Sequence, residues 1–375
     1  MHRRKRLLLL SVSAGAGHVR AAEALRAAAP DFDAEALHLD VMDYVSSAFR
    51  AMYTEWYLKV VEKHPAVWAE LYRIMDRTPP SAPMSRLRRA AERLNTLKLR
   101  KAITTFAPDA VICTHFLPAE LLMRERHRGR LSSPVFVQVT DFDLHGMWVV
   151  PGMTGYFAAS DEVAFRMRRR GIDAANIHVT GIPIMPAFAT RLARGDCAAE
   201  IGLDPKRTTI LLMGGGAGLG GLDDVAARLL TLDADFQLIA LAGRNKEMLA
   251  RLEELSRRHP GRLIAQGFTD RVERLMCASD LVITKPGGLT TSECLALGLP
   301  MIVHAPIPGQ EERNCDYLLE QGAALKAIDA DSLEFRVRDL IAHPARVAAM
   351  SGRARALGHP QAARDVLGMV LRNSA

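Results

Sequence analysis

Three groups of residues in this sequence have the types and spacing to do chemistry. The first is Ile283-Thr284-Lys285-Pro286-Gly287-Gly288-Leu289-Thr290-Thr291-Ser292-Glu293. A strand-like apolar run, Leu281 to Ile283, turns through two glycines into an apolar stretch with helical spacing, Cys294 to Leu297. Such a turn leaves backbone N–H groups free, and the helix dipole adds partial positive charge, so the place suits a phosphate. Glu293, one turn into that helix, suits a ribose diol, as the acidic residue of a dinucleotide fold does. An ordinary βα turn with a surface glutamate gives the same pattern, so the other groups have to decide.

The second group is Ser13-Ala14-Gly15-Ala16-Gly17-His18, between the strand-like run Leu7 to Val12 and an alanine-rich helix, Ala21 to Ala29. It places His18 at a helix start, beside the carboxyl ends of the strands, where open α/β sheets bind ligands. A lone histidine is more often structural. One on a glycine-rich βα turn has better odds of function, and a neutral imidazole is a base near pH 7. The third group sits at two further strand ends. His115 follows Ala110 to Cys113, and Thr140-Asp141-Phe142-Asp143-Leu144-His145 follows Val135 to Val139. The pair Asp141 and Asp143 invites a metal reading, and Asp143 with His145 could be two ligands. No third ligand at suitable spacing lies nearby, so no metal is expected, and the loop is read as hydrogen-bonding to substrate.

Two more loops fit an anionic sugar donor. In Gly214-Gly215-Gly216-Ala217-Gly218-Leu219-Gly220-Gly221, six of eight residues are glycine, so backbone can approach a diphosphate closely. Where a nicotinamide fold would place an acidic residue after the next strand, this chain has Leu241-Ala242-Gly243-Arg244. Gly-Lys-Ser/Thr is absent, so neither a nicotinamide site nor a P-loop is expected. The loop Pro306-Ile307-Pro308-Gly309 leads into Gln310, Glu311 and Asn314, whose amides and carboxylate suit sugar hydroxyls.

The elements needed to hold these loops are strands alternating with helices, which predicts an α/β protein with parallel doubly wound sheets. Its 375 residues suggest two domains. The hinge is read at Gly181-Ile182-Pro183-Ile184-Met185-Pro186. The expected division is 1–182, then 183–345, with 346–375 as helices packing back towards the first domain. No apolar run approaches the ~18 residues of a membrane span. The five cysteines are scattered without a Cys-x-x-Cys pair, which points to a reducing, cytoplasmic compartment.

The net charge of +7 is uneven: residues 1–130 hold 22 Lys and Arg against 14 Asp and Glu, and the remainder 27 against 28. From Tyr44 to about Ile103 the chain is aromatic and then strongly basic. Trp56, Trp68 and Tyr72 recur at helical spacing, and Arg86, Arg88, Arg89 and Arg93 crowd one segment opposed only by Glu92. Any one of these residues reads equally well as core or solvated face. Together they predict contact with an anionic membrane surface rather than with nucleic acid, because their aromatics follow helical spacing and build no stacking platform.

Taken together, Ser13 to His18, Thr140-Asp141-Phe142, Thr180-Gly181-Ile182-Pro183, Gly214-Gly215-Gly216, Gly267-Phe268, Lys285-Pro286-Gly287-Gly288 with Glu293, and Pro308-Gly309-Gln310-Glu311 resemble a known family. It is the bacterial and plastid family of monogalactosyl- and glucosyl-diacylglycerol synthases, in glycosyltransferase family 28. The resemblance spans nearly the whole chain and implies a two-domain GT-B fold facing across a cleft. It also implies an inverting transfer of a hexose from a UDP-sugar to a membrane lipid, diacylglycerol above all, with no cofactor. In that scheme His18 is the base and Asp141 or His115 orients it. Gly214, Gly215, Gly216, Lys285, Pro286, Gly287 and Gly288 receive the diphosphate. Phe268 lines the uracil pocket, Glu293 holds ribose, and Gln310 and Glu311 hold the sugar, with Asn314 a further donor-binding candidate from the same loop. Gly17, His115, His145, Trp56 and the four arginines serve the acceptor and the membrane. The protein is expected at the cytoplasmic face of the inner membrane, held peripherally. Rival readings are a transferase for polyprenyl-linked or other lipid acceptors, and a UDP-sugar 2-epimerase, which would need no membrane surface.

Overall fold

The structure, a computed structural model, describes residues 3–13, 15–46, 50, 60, 64–77, 97–190, 192–214 and 221–373. Its contacts divide the chain into two units. The first comprises Met1–Pro186, Pro308–Gln310 and Gln361–Ala375, and the second Ala187–Ile307 and Glu311–Pro360. The first break thus falls after Pro186 instead of Ile182, and residues 346–360 group with the second unit.

The first unit holds one parallel sheet: β1 (Lys5–Ser11), β2 (Ala34–Asp40), β3 (Ala110–Cys113), β4 (Val135–Gln138), β5 (Gly155–Ala158) and β6 (Ile177–Val179), in the order β2-β1-β3-β4-β5-β6. Its helices are α1 (Ala16–Ala28), α2 (Pro65–Arg77), α3 (Leu97–Phe106), α4 (Phe116–His127) and α5 (Asp161–Arg169), joined by the last helix of the chain, Ala362–Arg372. Leu7, Leu8, Leu9 and Leu10 are all fully buried, because a central parallel strand is covered on both faces. Alternation then sorts them. Leu8 and Leu10 pack with Val111, Val137 and Trp148, while Leu7 and Leu9 pack with Leu25, Phe136, Phe157 and, from the last helix, Val366, Leu367 and Val370.

The second unit repeats the plan with β7 (Thr208–Met213), β8 (Phe236–Gly243), β9 (Leu263–Gly267), β10 (Leu281–Thr284), β11 (Met301–His304) and β12 (Ala324–Ala327). They pair in parallel in the order β12-β11-β10-β7-β8-β9. Among its helices are α6 (Arg194–Glu200), α7 (Leu222–Leu230), α8 (Lys246–Arg258), α9 (Val272–Cys277), α10 (Gly288–Leu297), α11 (Gln310–Glu320), α12 (Ala330–Ala342) and α13 (Pro344–Leu357). Each sheet reverses direction beside its first strand, between β1 and β3 and between β7 and β10. Those reversals open crevices at the strand carboxyl ends, and His18, at the start of the helix after β1, and Lys285 to Gly288, after β10, lie at them.

Candidate active site

His18 stands on the first turn of α1, behind Gly15 at φ 146°, a backbone angle that suits glycine. Its Nδ1 lies 3.0 Å from the Thr114 carbonyl oxygen and 2.9 Å from Thr140 Oγ1. A carbonyl only accepts, so Nδ1 carries the proton and Nε2 keeps its lone pair. The Thr114 hydroxyl donates in turn to the His18 carbonyl at 2.8 Å, tying the end of β3 to the start of α1. The ring meets His115 edge-on, with centroids 4.6 Å apart, and Trp148 lies at 6.1 Å. Burial by these neighbours pushes the imidazole pKa down to about 4, against the opposing hydrogen bond to Thr114. His18 is therefore neutral at pH 7, with a base-competent nitrogen.

Sequence reasoning expected Asp141 or His115 to orient this ring. The two groups found on Nδ1 are the Thr114 carbonyl and the Thr140 hydroxyl, each next in the chain to one of those candidates. A backbone acceptor leaves no mark in residue type, whereas Thr140 sits inside a motif already singled out. His115 is buried, and its Nδ1 accepts from Leu117 N at 3.1 Å, capping α4. Asp141 is half-buried beside Thr140, and Gly17 is half-buried beside His18. His145 is buried, with Nε2 3.0 Å from the Tyr72 carbonyl and Nδ1 accepting from Met147 N. It pins α2 to the 141–148 loop. Asp76 does the same by accepting from Gly146 N at 2.7 Å and pairing with Arg170 at 2.9 Å.

A chain of three residues, far apart in sequence and matching no motif, braces the His18 turn. Ser11 Oγ is 2.7 Å from His38 Nε2, and His38 Nδ1 is 2.5 Å from Glu23 Oε1. Burial alone would raise the Glu23 carboxyl, but the bonds from His38 and Arg26 outweigh it and hold it below its ordinary value. The order Ser–His–Glu is that of a hydrolase triad. Ser11 is 0 % exposed, so no substrate reaches its oxygen, and the chain ties β1, α1 and β2 together.

In the second unit the turn after β10 delivers Lys285, Pro286 and Gly287 to the start of α10. No side chain caps this helix, so its first-turn N–H groups face outward without intrahelical partners. Asn314 is fully buried and donates Nδ2 to the Pro286 carbonyl at 3.0 Å, which fixes the turn. Glu311 accepts from Ile307 N at 2.7 Å, and a Cβ on Gly287 would lie 3.8 Å from its other oxygen. Glu293 is buried within α10, one and a half turns on from Gly288. Gly214 follows β7 and is buried, while Phe268 follows β9 with 57 % of its surface exposed. Gln310 opens α11, and its Oε1 accepts from Trp68 Nε1 at 3.4 Å, both within the first unit. Gly215, Gly216, Trp56, Arg86, Arg88, Arg89 and Arg93 lie outside the described residues. Among the described residues no group of three or more metal-ligating side chains comes together.

Comparison with known proteins follows the same division. Residues 18–184 match the family model of monogalactosyldiacylglycerol (MGDG) synthase, and residues 209–366 that of the glycosyltransferase family 28 C-terminal domain. A processive diacylglycerol beta-glucosyltransferase of Bacillus pumilus is 28 % identical over 327 residues, covering 87 % of this chain and 84 % of its own. The chloroplastic monogalactosyldiacylglycerol synthase 2 of Arabidopsis thaliana is 30 % identical over 344 residues, covering 86 % and 71 %. Among solved structures, MurG of Acinetobacter baumannii superposes with a TM-score of 0.62 at 16 % identity, over 99 % of this chain and 100 % of its own. A UDP-glucosyltransferase of Polygonum tinctorium gives 0.65 at 13 % identity, over 99 % of both chains. These two likenesses establish the GT-B fold. The chain belongs to the monogalactosyldiacylglycerol synthase family of glycosyltransferases.

Proposed function

We propose that this family member transfers a hexose from a UDP-sugar to the free hydroxyl of diacylglycerol, with inversion at the anomeric carbon. The observation that carries the reading is the lone pair on His18 Nε2, kept free by the proton that Nδ1 gives to the Thr114 carbonyl. The acceptor hydroxyl passes its proton to Nε2 while its oxygen attacks the anomeric carbon. The bond from that carbon to the diphosphate oxygen breaks, and UDP leaves with the electron pair. The charge that develops on UDP is met by the uncapped N–H groups and dipole of α10 and by Lys285. Glu293 is assigned to ribose and Gln310 and Glu311 to the sugar side of the site, while Asn314, expected from the sequence to meet the sugar, is fully buried and holds the Pro286 turn instead. The names of the relatives support diacylglycerol as the acceptor.

The membrane is reached peripherally in this reading. Among the described residues no helix is long and apolar enough to cross a bilayer. On α2, Trp68 and Tyr72 turn inward while Val67 and Ile74, two turns apart, are 53 % and 46 % exposed. Leu97 is 74 % exposed at the start of α3, beside exposed Lys98 and Lys101. Exposed apolar side chains of this kind, with lysines beside Leu97, suit the headgroup region of an anionic leaflet, here the cytoplasmic one.

The test is UDP release by purified protein on liposomes. UDP-galactose, UDP-glucose, UDP-N-acetylglucosamine and UDP-glucuronate are offered in turn, with and without diacylglycerol. Release that requires diacylglycerol is expected with at least one donor. Release indifferent to lipid would instead fit a soluble acceptor or an epimerase.

A further inference from the structure

We propose that Arg244 reads the nucleobase of the donor, its guanidinium meeting the carbonyl edge of uracil while it rests on Phe268. This builds on the UDP-sugar reading above. The local backbone places the two side chains together. β8 and β9 run parallel and end with Gly243 opposite Gly267, after an irregularity in register between Leu241 and Gly243. Such bulges re-aim the chain beside binding sites. Gly243 has φ 60°, in the left-handed region, and a Cβ on Gly267 would press on Leu249 at 3.1 Å. The next residue on each strand is Arg244 or Phe268, and the guanidinium carbon stands 4.2 Å from the ring centroid.

Exposure separates this stack from the others. Among the described residues, Arg6 lies over Phe106 and Arg262 over Phe236, both buried rings, and Arg364 lies over half-buried Phe32 while paired with Asp31. Phe268 is 57 % exposed, and Arg244 is exposed as well. A planar cation on an open aromatic face, whose in-plane donors meet no acceptor among the described residues, is a surface for a flat ligand that carries acceptors.

Position says which part of the donor arrives there. In the order β12-β11-β10-β7-β8-β9, the ends of β8 and β9 stand two and three strands from the end of β10. At the usual strand spacing that is about 10 and 14 Å. A nucleotide whose diphosphate sits on the α10 turn, with ribose at Glu293, brings its base end to Arg244 and Phe268. Uracil offers two carbonyl oxygens to the guanidinium donors. Cytosine sets an amino donor where uracil has O4, so donor would face donor. Arg244 would thereby select uridine over cytidine nucleotides.

The experiment is titration calorimetry of the full chain with UDP and with CDP, for wild type, Arg244→Met and Arg244→Lys. Wild type should bind UDP more tightly than CDP. Arg244→Met should weaken UDP about tenfold and leave CDP nearly unchanged, so that the preference collapses. Arg244→Lys should recover only part of it, since a point charge lacks the planar fork. Equal weakening of UDP and CDP would overturn the proposal by placing Arg244 on the phosphates. Unchanged binding of both would reduce the stack to a surface contact. A wild type that binds neither nucleotide would remove the UDP-donor reading and this proposal with it.

Discussion

The Thr114 carbonyl, a group with no side-chain identity, decides which nitrogen of His18 carries the proton and so which is left for the base role proposed above. Burial decides when it is available. The ring is pushed down to about 4, chiefly by desolvation. In the proposed mechanism a protonated imidazole cannot take the acceptor's proton, so activity should fall with acid only as pH drops through the folded pKa. With an ordinary histidine the acidic limb of kcat/KM would be centred near 6.5. Here it should lie near the depressed value, leaving activity flat across mildly acidic pH. Measuring kcat/KM between pH 4 and pH 8 checks this, and a half-maximal point near 6.5 would show that the ring is not desolvated as described. The same lesson applies to Ser11, His38 and Glu23. Their types suggest a nucleophile, and only the complete burial of Ser11 shows that they form a brace.

At the level of elements, most of the frame was legible because parallel strands buried on both faces are short continuous apolar runs. Leu7 to Leu10 and Leu281 to Ile283 announce themselves in this way, and both belong to strands flanking a crevice. β12 was not legible. It is an edge strand, paired only with β11, and Leu325 and Lys326 in its middle are half-buried, so its sequence carries neither alternation nor a long apolar run. The approach to the glycine turn is broken: Val272–Cys277 is helix α9, and the strand starts only at Leu281. Helix–helix fit was equally invisible. Gly358, just past α13, lies so close to α10 that an added Cβ would meet the Leu295 carbonyl oxygen at 2.5 Å. That neighbour is backbone and cannot swing aside. Gly358→Ala should therefore destabilise the second unit by about 1–3 kcal/mol, lowering its melting temperature by several degrees. Differential scanning calorimetry reads this, and an unchanged transition would mean that α10 and α13 are more loosely packed than they are drawn.

Over the whole molecule the excess positive charge belongs to residues 1–130, while the remaining chain is close to neutral. If that asymmetry serves an anionic membrane, reversing Arg86, Arg88, Arg89 and Arg93 to Glu should abolish sedimentation with anionic liposomes. Wild-type binding should also weaken as salt screens it. Unchanged sedimentation would reject the docking role. The central claim is that a neutral His18 takes the proton from a lipid hydroxyl while UDP leaves. Its most direct test compares wild type and His18→Ala for UDP release on diacylglycerol liposomes, with UDP affinity measured on both proteins. The account predicts a loss of release of about 10²–10⁴-fold in the variant with UDP affinity unchanged. Release near the wild-type rate in His18→Ala would contradict it, and the base would have to be sought elsewhere.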